Sequence, residues 1–69
     1  MENFYEMLGV PENASADEIK KNFRSLAKQY HPDITKGHDD QFRKISHAYK
    51  VLSNPEARNY YDKTLNIYR

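Results

Sequence analysis

Apolar residues return at helical intervals along most of this chain. Ile19, Phe23, Leu26, Ala27 and Tyr30 fall within an arc of about 100° when each residue is advanced by 100°. Phe42, Ile45, Tyr49 and Leu52 form a second stripe, with Ala48 alongside. No stretch shows the period-two alternation of a strand. The spacing predicts one long helix ending at about Tyr30 and another from about Asp39 to Leu52. The first opens on a capping box, Ser15-Ala16-Asp17-Glu18, in which the serine accepts from the N–H three residues on and Glu18 reaches back. It must stop before Pro32, because proline has no N–H to donate and pushes the preceding residue out of the helical region. Asp39 and Asp40 suit the start of the second, where the helix dipole is positive.

Two shorter helices flank these. Residues 3–8, NFYEML, are closed by Gly9, a natural helix stop, and Val10-Pro11 cannot continue them. PENAS then reads as a turn. Asn54-Pro55-Glu56 starts a fourth helix: a cap, a proline at the first helical position and an acid. It should reach about Lys63, with 64–69 either extending it or fraying. The expected fold is all-α: the two long helices pack antiparallel as a hairpin to bury their stripes, and the short helices cover its open ends. The connection from 31 to about 39, with Gly37 in it, stands alone at one end of the hairpin. Exposed loops held by rigid elements are where function tends to reside.

Composition narrows the class. Sixty-nine residues make one domain at most, and a chain of that size buries only about 60% of its unfolded surface. Nothing at Arg69 reads as a deliberate stop, so the expected domain, 1–69 with its core at 3–63, is the N-terminal part of a longer protein. There is no cysteine, which excludes disulfides and thiolate chemistry and fits a reducing compartment; the expected location is cytoplasmic. No apolar run approaches the ~20 residues of a membrane span, and MENFYEML lacks the basic start and apolar stretch of a signal peptide. There is no internal repeat. The net charge of +1 implies no partner by itself.

Charge placement says more. From Ile19 to Tyr30 there are four cations, Lys20, Lys21, Arg24 and Lys28, and no acid. They occupy an arc distinct from the apolar stripe. An ordinary solvated face mixes signs; Lys20, Arg24 and Lys28 are instead stacked four apart with like sign, at a cost of a few tenths of a kcal/mol per pair. That arrangement favours an acidic partner. The triplet His31-Pro32-Asp33 follows directly. Its bland reading is a helix stop, with the histidine favourable at the helix C-terminus. Its functional reading is that a rigid proline fixes the directions of an imidazole and a carboxylate, which then cost little entropy to engage.

Catalytic and metal chemistry find little footing. His31, Asp33, His38 and Asp39 are close in sequence but match no EF-hand spacing, and there is no HExxH. No phosphate loop, dinucleotide fingerprint or GxSxG occurs. The expectation is no metal, no cofactor and no enzyme. Tyr30, Tyr49, Tyr60 and Tyr61 read as structural.

Taken in order, FYEMLGV, ASADEIKKNFRSLAKQYHPD and FRKISHAYKVLSNPEARNYYD resemble a J-domain, the module of DnaJ-type co-chaperones, over residues 4 to about 63. Five motifs stand in register, of which HPD alone would be a weak signal. The resemblance implies a module that binds the ATPase domain of a DnaK-type (seventy-kilodalton heat-shock) chaperone and stimulates its ATP hydrolysis, in support of protein folding. It implies that His31, Pro32 and Asp33 form the triggering loop, with the aspartate acting on a basic residue near the partner's interdomain linker. Lys20, Lys21, Arg24 and Lys28 would be the electrostatic contact surface. Phe23 stands where the family often has a partner-facing aromatic, but helical arithmetic puts it nearer the core. Ser25 stands where many members carry another Lys or Arg, and the stretch from Asp33 to Phe42 is short for the family. No Gly/Phe-rich linker, zinc-binding region or client-binding domain is present, so client proteins would be engaged by regions outside this chain.

A small basic helical DNA-binding domain is the alternative from another class. Against it, the second helix lacks an Asn/Gln/Arg cluster for base edges and the net charge is only +1; no nucleic acid and no membrane are expected as partners. An enzyme fragment using His31 and Asp33 is a third reading.

Overall fold

The computed structural model describes residues 3–68. Met1, Glu2 and Arg69, which the single-domain reading includes, lie outside the described residues. The elements are α1 (Phe4–Leu8), α2 (Ala16–Tyr30), α3 (Pro32–Thr35), α4 (Asp40–Leu52) and α5 (Pro55–Ile67), with no strand among the described residues. The fold is all-α, as expected.

Local chemistry sets the boundaries. Asn3 caps α1 by accepting from the Glu6 N–H at 2.9 Å. Gly9 ends it in the left-handed region at φ 68°, which an L side chain adopts only with strain. The Asn22 side chain then donates to the carbonyls of Leu8 and Gly9 at 3.0 and 3.1 Å, so α2 satisfies the open end of α1. The Ser15–Glu18 capping box is present in both directions. At His31 the backbone swings to ψ 139°, extended as a residue before proline must be.

Two details differ from expectation, and a third takes one of the two courses left open for 64–69. The stretch 31–39 is not all loop, because Pro32 and Asp33 begin the single turn α3; a proline at the first position and an acid beside it favour a helix start even this short. Asp39 precedes α4 without a side-chain cap bond and pairs instead with Arg43 at 3.1 Å. α5 continues past Lys63 to Ile67; Leu65, one turn beyond Tyr61, packs against the core and carries the helix onward.

α2 and α4 form the hairpin. Its antiparallel register shows in two ring pairs: Phe23 stacks on Tyr49 at 4.2 Å near mid-helix, and His31 meets Phe42 edge-on at 5.9 Å at the tip. Tyr5, Leu8, Val10, Ala14, Ile19, Ile45, Ala48 and Leu52 are the buried core. Tyr30, Tyr49 and Tyr61 pack around it as expected. Tyr60 does not: it is 75% exposed, because it sits a quarter-turn off the face of α5 that meets the core.

α5 is fastened by a polar network the spacing alone did not reveal. The Tyr5 hydroxyl donates to the Asp62 carboxylate and accepts from Arg58 Nε at 3.1 Å. Arg58 also donates to the carbonyls of Ala14 and Glu12, at 2.7 and 3.3 Å, and lies over the Tyr5 ring at 5.4 Å. One guanidinium thereby ties α5 to α1 and to the turn before α2. Phe4 completes the join, stacked on Tyr61 at 4.5 Å with its N–H donating to the tyrosine oxygen at 3.0 Å.

Candidate functional site

The site begins where α2 stops. His31 is at once the C-cap of α2 and the N-cap of α3. Its Nδ1 accepts from the Asp33 N–H at 3.1 Å, so the neutral ring carries its proton on Nε2, the nitrogen turned away from the turn. Its carbonyl accepts from the N–H groups of Ile34 and Thr35 at 2.8 and 3.0 Å. The Phe42 ring holds the imidazole from the other side. Pro32 contributes fixed φ and needs no donor at this position. The triplet is therefore a helix stop and a rigid mount together.

What the mount presents is the Asp33 carboxylate, with a side chain 93% exposed. The nearest ionisable partner of that carboxylate is His31, whose Nδ1 lies 3.7 Å away, beyond hydrogen-bond reach. A bare, directed anion thus projects from the tip of the hairpin, while the half-exposed imidazole stands beside it.

Lys20, Lys21, Arg24 and Lys28 are all exposed along α2 and make no ion pair among the described residues. The arc runs toward the tip and ends with Lys28, three residues before His31. Ser25 is exposed on the same side, one turn from both Lys21 and Lys28. Phe23 lies against Tyr49 in the hairpin and not on the cationic face. The expected site residues thus lie along one helix and the turn that follows it. His38 and Asp39 do not join His31 and Asp33 in a ligand set: no group of three His, Cys, Asp or Glu side chains able to hold a metal occurs among the described residues. Sequence reasoning missed Phe42 as a support for His31; its place as the first apolar residue of the α4 stripe, opposite the end of α2, was the available signal.

A family model described as "DnaJ domain" matches residues 3–62. The chain belongs to the DnaJ domain family. Three curated relatives named "Chaperone protein DnaJ" illustrate the likeness. Those of Listeria monocytogenes serotype 4b (strain F2365) and Roseiflexus castenholzii are each 57% identical to this chain over 63 residues, covering 88% of it and 17% of the relative. That of Listeria welshimeri is 56% identical over the same length and shares. The DnaJ domain described here thus spans about a sixth of the length of these relatives. Neither the family nor the relatives support the DNA-binding alternative. No helix among the described residues is long and apolar enough to cross a membrane.

Proposed function

We propose that this DnaJ domain acts as a co-chaperone module: it binds the ATPase domain of a DnaK-type chaperone and stimulates ATP hydrolysis there, without being an enzyme itself. The observation that carries this reading is the Asp33 carboxylate, 93% exposed on a rigid turn, at the end of an unpaired cationic face, in a chain of the DnaJ domain family. In this reading Lys20, Lys21, Arg24 and Lys28 steer and hold an acidic surface of the chaperone. His31 and Pro32 aim Asp33 at a basic group whose release or capture triggers hydrolysis. The proposed setting is the cytoplasm, and client proteins are held by regions outside this domain.

Single-turnover ATP hydrolysis by a DnaK-type chaperone, with and without the domain, tests this. Asp33→Asn keeps size and turn preference but removes the charge. The charge-assisted bond it forfeits is worth roughly 1.5–3 kcal/mol. The melting temperature should stay near that of wild type while stimulation is largely lost. Full stimulation by folded Asp33→Asn protein would reduce the triplet to a helix stop.

A further inference from the structure

Four large apolar residues are exposed among the described residues: Ile34, Tyr60, Ile67 and Tyr68; Tyr60 and Ile67 are on α5 and Tyr68 is its C-cap, and these three are 75%, 76% and 84% exposed. Scattered exposed apolar residues are ordinary; three along one helix and its C-cap are not scattered. Ala57, Tyr60, Tyr61, Thr64 and Tyr68 recur at i, i+3, i+4, i+7 and i+11, so α5 carries an almost wholly apolar stripe in addition to the face that holds Arg58, Asp62 and Leu65 against the fold. The stripe runs about 16 Å along the helix.

Opposite it stand Phe4 of α1 and Val51 of α4. Together Phe4, Val51, Ala57, Tyr60, Tyr61 and Thr64 line a trough of about 240 Å³. That is below the range of about 300–1,000 Å³ in which small-molecule sites fall, but it suits two or three side chains of a peptide. No residue of α2 or of the His-Pro-Asp turn contributes to it.

The rim has one sign over most of its length. On α4, Lys44, His47 and Val51 share an edge at i, i+3 and i+7, and the His47 ring meets Phe4 edge-on at 5.3 Å. Lys50 lies one turn beyond His47. On α5, Lys63 adjoins Tyr60 and Ile67. All of these polar rim residues are exposed, and Lys44, Lys50 and Lys63 make no ion pair among the described residues. The acids on this side sit at the ends, Glu56 in the first turn of α5 and Asp40 in the first turn of α4, one turn before Lys44.

We propose that this trough is a second docking site, for an acidic amphipathic helix of a partner protein. Large apolar side chains of that helix, spaced i, i+3 or i+4, and i+7, fill the trough, and its acidic flanks meet Lys44, Lys50 and Lys63. The mode is helix-in-groove recognition, with the charges setting orientation and encounter rate more than affinity. Because its residues are disjoint from α2 and the tip, this partner and a chaperone occupy the domain together.

The test titrates the isotope-labelled chain with a synthetic 18-residue helical peptide bearing Leu and Phe at those spacings and Glu elsewhere. A counterpart with Lys in place of Glu is the control, and backbone amide shifts are followed by NMR. Shifts should centre on Phe4, Val51, Ala57, Tyr60 and Thr64, and the Lys peptide should bind at least tenfold more weakly. Tyr60→Ser should weaken binding about tenfold, as truncating an aromatic anchor does, and leave the melting temperature unchanged because the ring is exposed. The Lys44→Glu, Lys50→Glu double variant should cost several-fold, mostly in the association rate. Shifts centred on residues 20–28 would overturn the proposal, as would equal binding of the two peptides. Shifts at the trough that follow dilution of the protein alone would assign it instead to a second copy of the chain.

Discussion

At His31 one imidazole serves two helices, and its two nitrogens have different duties. Nδ1 accepts the Asp33 N–H and fixes the turn; Nε2–H is left to donate elsewhere. His31→Asn separates these duties, because asparagine is a good N-cap but has no ring to rest against Phe42 or to donate from the Nε2 position. That variant should melt within a few degrees of wild type and yet stimulate hydrolysis poorly, as read by unfolding and single-turnover assays on the same samples. The nitrogen-15 NMR spectrum of the wild-type neutral ring should show the proton on Nε2. Tyr5 makes the opposite case, a residue whose chemistry is structural. Burial first, then its hydrogen bond to Asp62, raise its phenol above the ordinary value of 10.0, with Arg58 opposing. The unfolded chain thus loses this proton at lower pH than the folded one, so the unfolded state binds fewer protons above about pH 10. The contribution is intact below that pH and disappears as pH climbs through the raised value. Tyr5→Phe should be less stable by about 1–2 kcal/mol at neutral pH, since Arg58 and Asp62 each lose a partner. Its alkaline decline in chemical denaturation should also be shallower than that of wild type.

At the scale of elements, the sequence-level reading was most secure where periodicity and caps agreed. Ser15, Glu18, Gly9, Asn54 and Pro55 marked helix ends because capping is local chemistry, legible within four residues. The two long stripes placed Ile19, Ile45, Ala48 and Leu52 in the core for the same reason. The triplet and the cationic arc of the candidate site were also legible, being contiguous or helically spaced. What escaped was decided by residues distant in the chain. Extension and fraying of α5 beyond Lys63 stayed equally open because only the contact of Leu65 with the core decides between them, and Arg58 is a tether because Tyr5, Ala14 and Glu12 converge on it. Tyr60 looked structural by type, whereas its angular position on α5 left it in solvent. The cationic face of α2 carries its own element-scale prediction. Ser25 is a mediocre helix former in mid-helix, and arginine is better by a few tenths of a kcal/mol. Ser25→Arg should leave the melting temperature equal or slightly higher and tighten chaperone binding, measured by calorimetry. Weaker binding by the folded variant would mean the contact surface is laid out otherwise.

For the molecule as a whole, acids at the hairpin tip and near the start of α2 offset cations on its outer faces, so a net charge of +1 conceals a strongly polarised surface. Exposed charges are screened beyond about 8 Å at physiological ionic strength. Association with the chaperone should therefore slow markedly between low and high salt, while the dissociation rate and the melting temperature change little; stopped-flow binding at several salt concentrations distinguishes the three. Arg24→Glu should mimic high salt by weakening binding more than folding. A salt-independent association rate would remove the steering role from the arc.

The join between Tyr5 and Asp62 spans 57 positions, nearly the whole chain, whereas each helix and the hairpin tip depend on neighbours. Closing so large a loop is entropically unfavourable until the hairpin has already shortened it. The expected order of events is that α2 and α4 pair first and the Arg58 tether clasps late, after the transition state. Arg58→Ala should then accelerate unfolding by most of its stability loss and leave the refolding rate nearly untouched. Hydrogen exchange should find the amides of α5 opening more readily than those of α2 and α4. The domain would thus fold as a hairpin that is subsequently latched, with its two ends the first part to come undone.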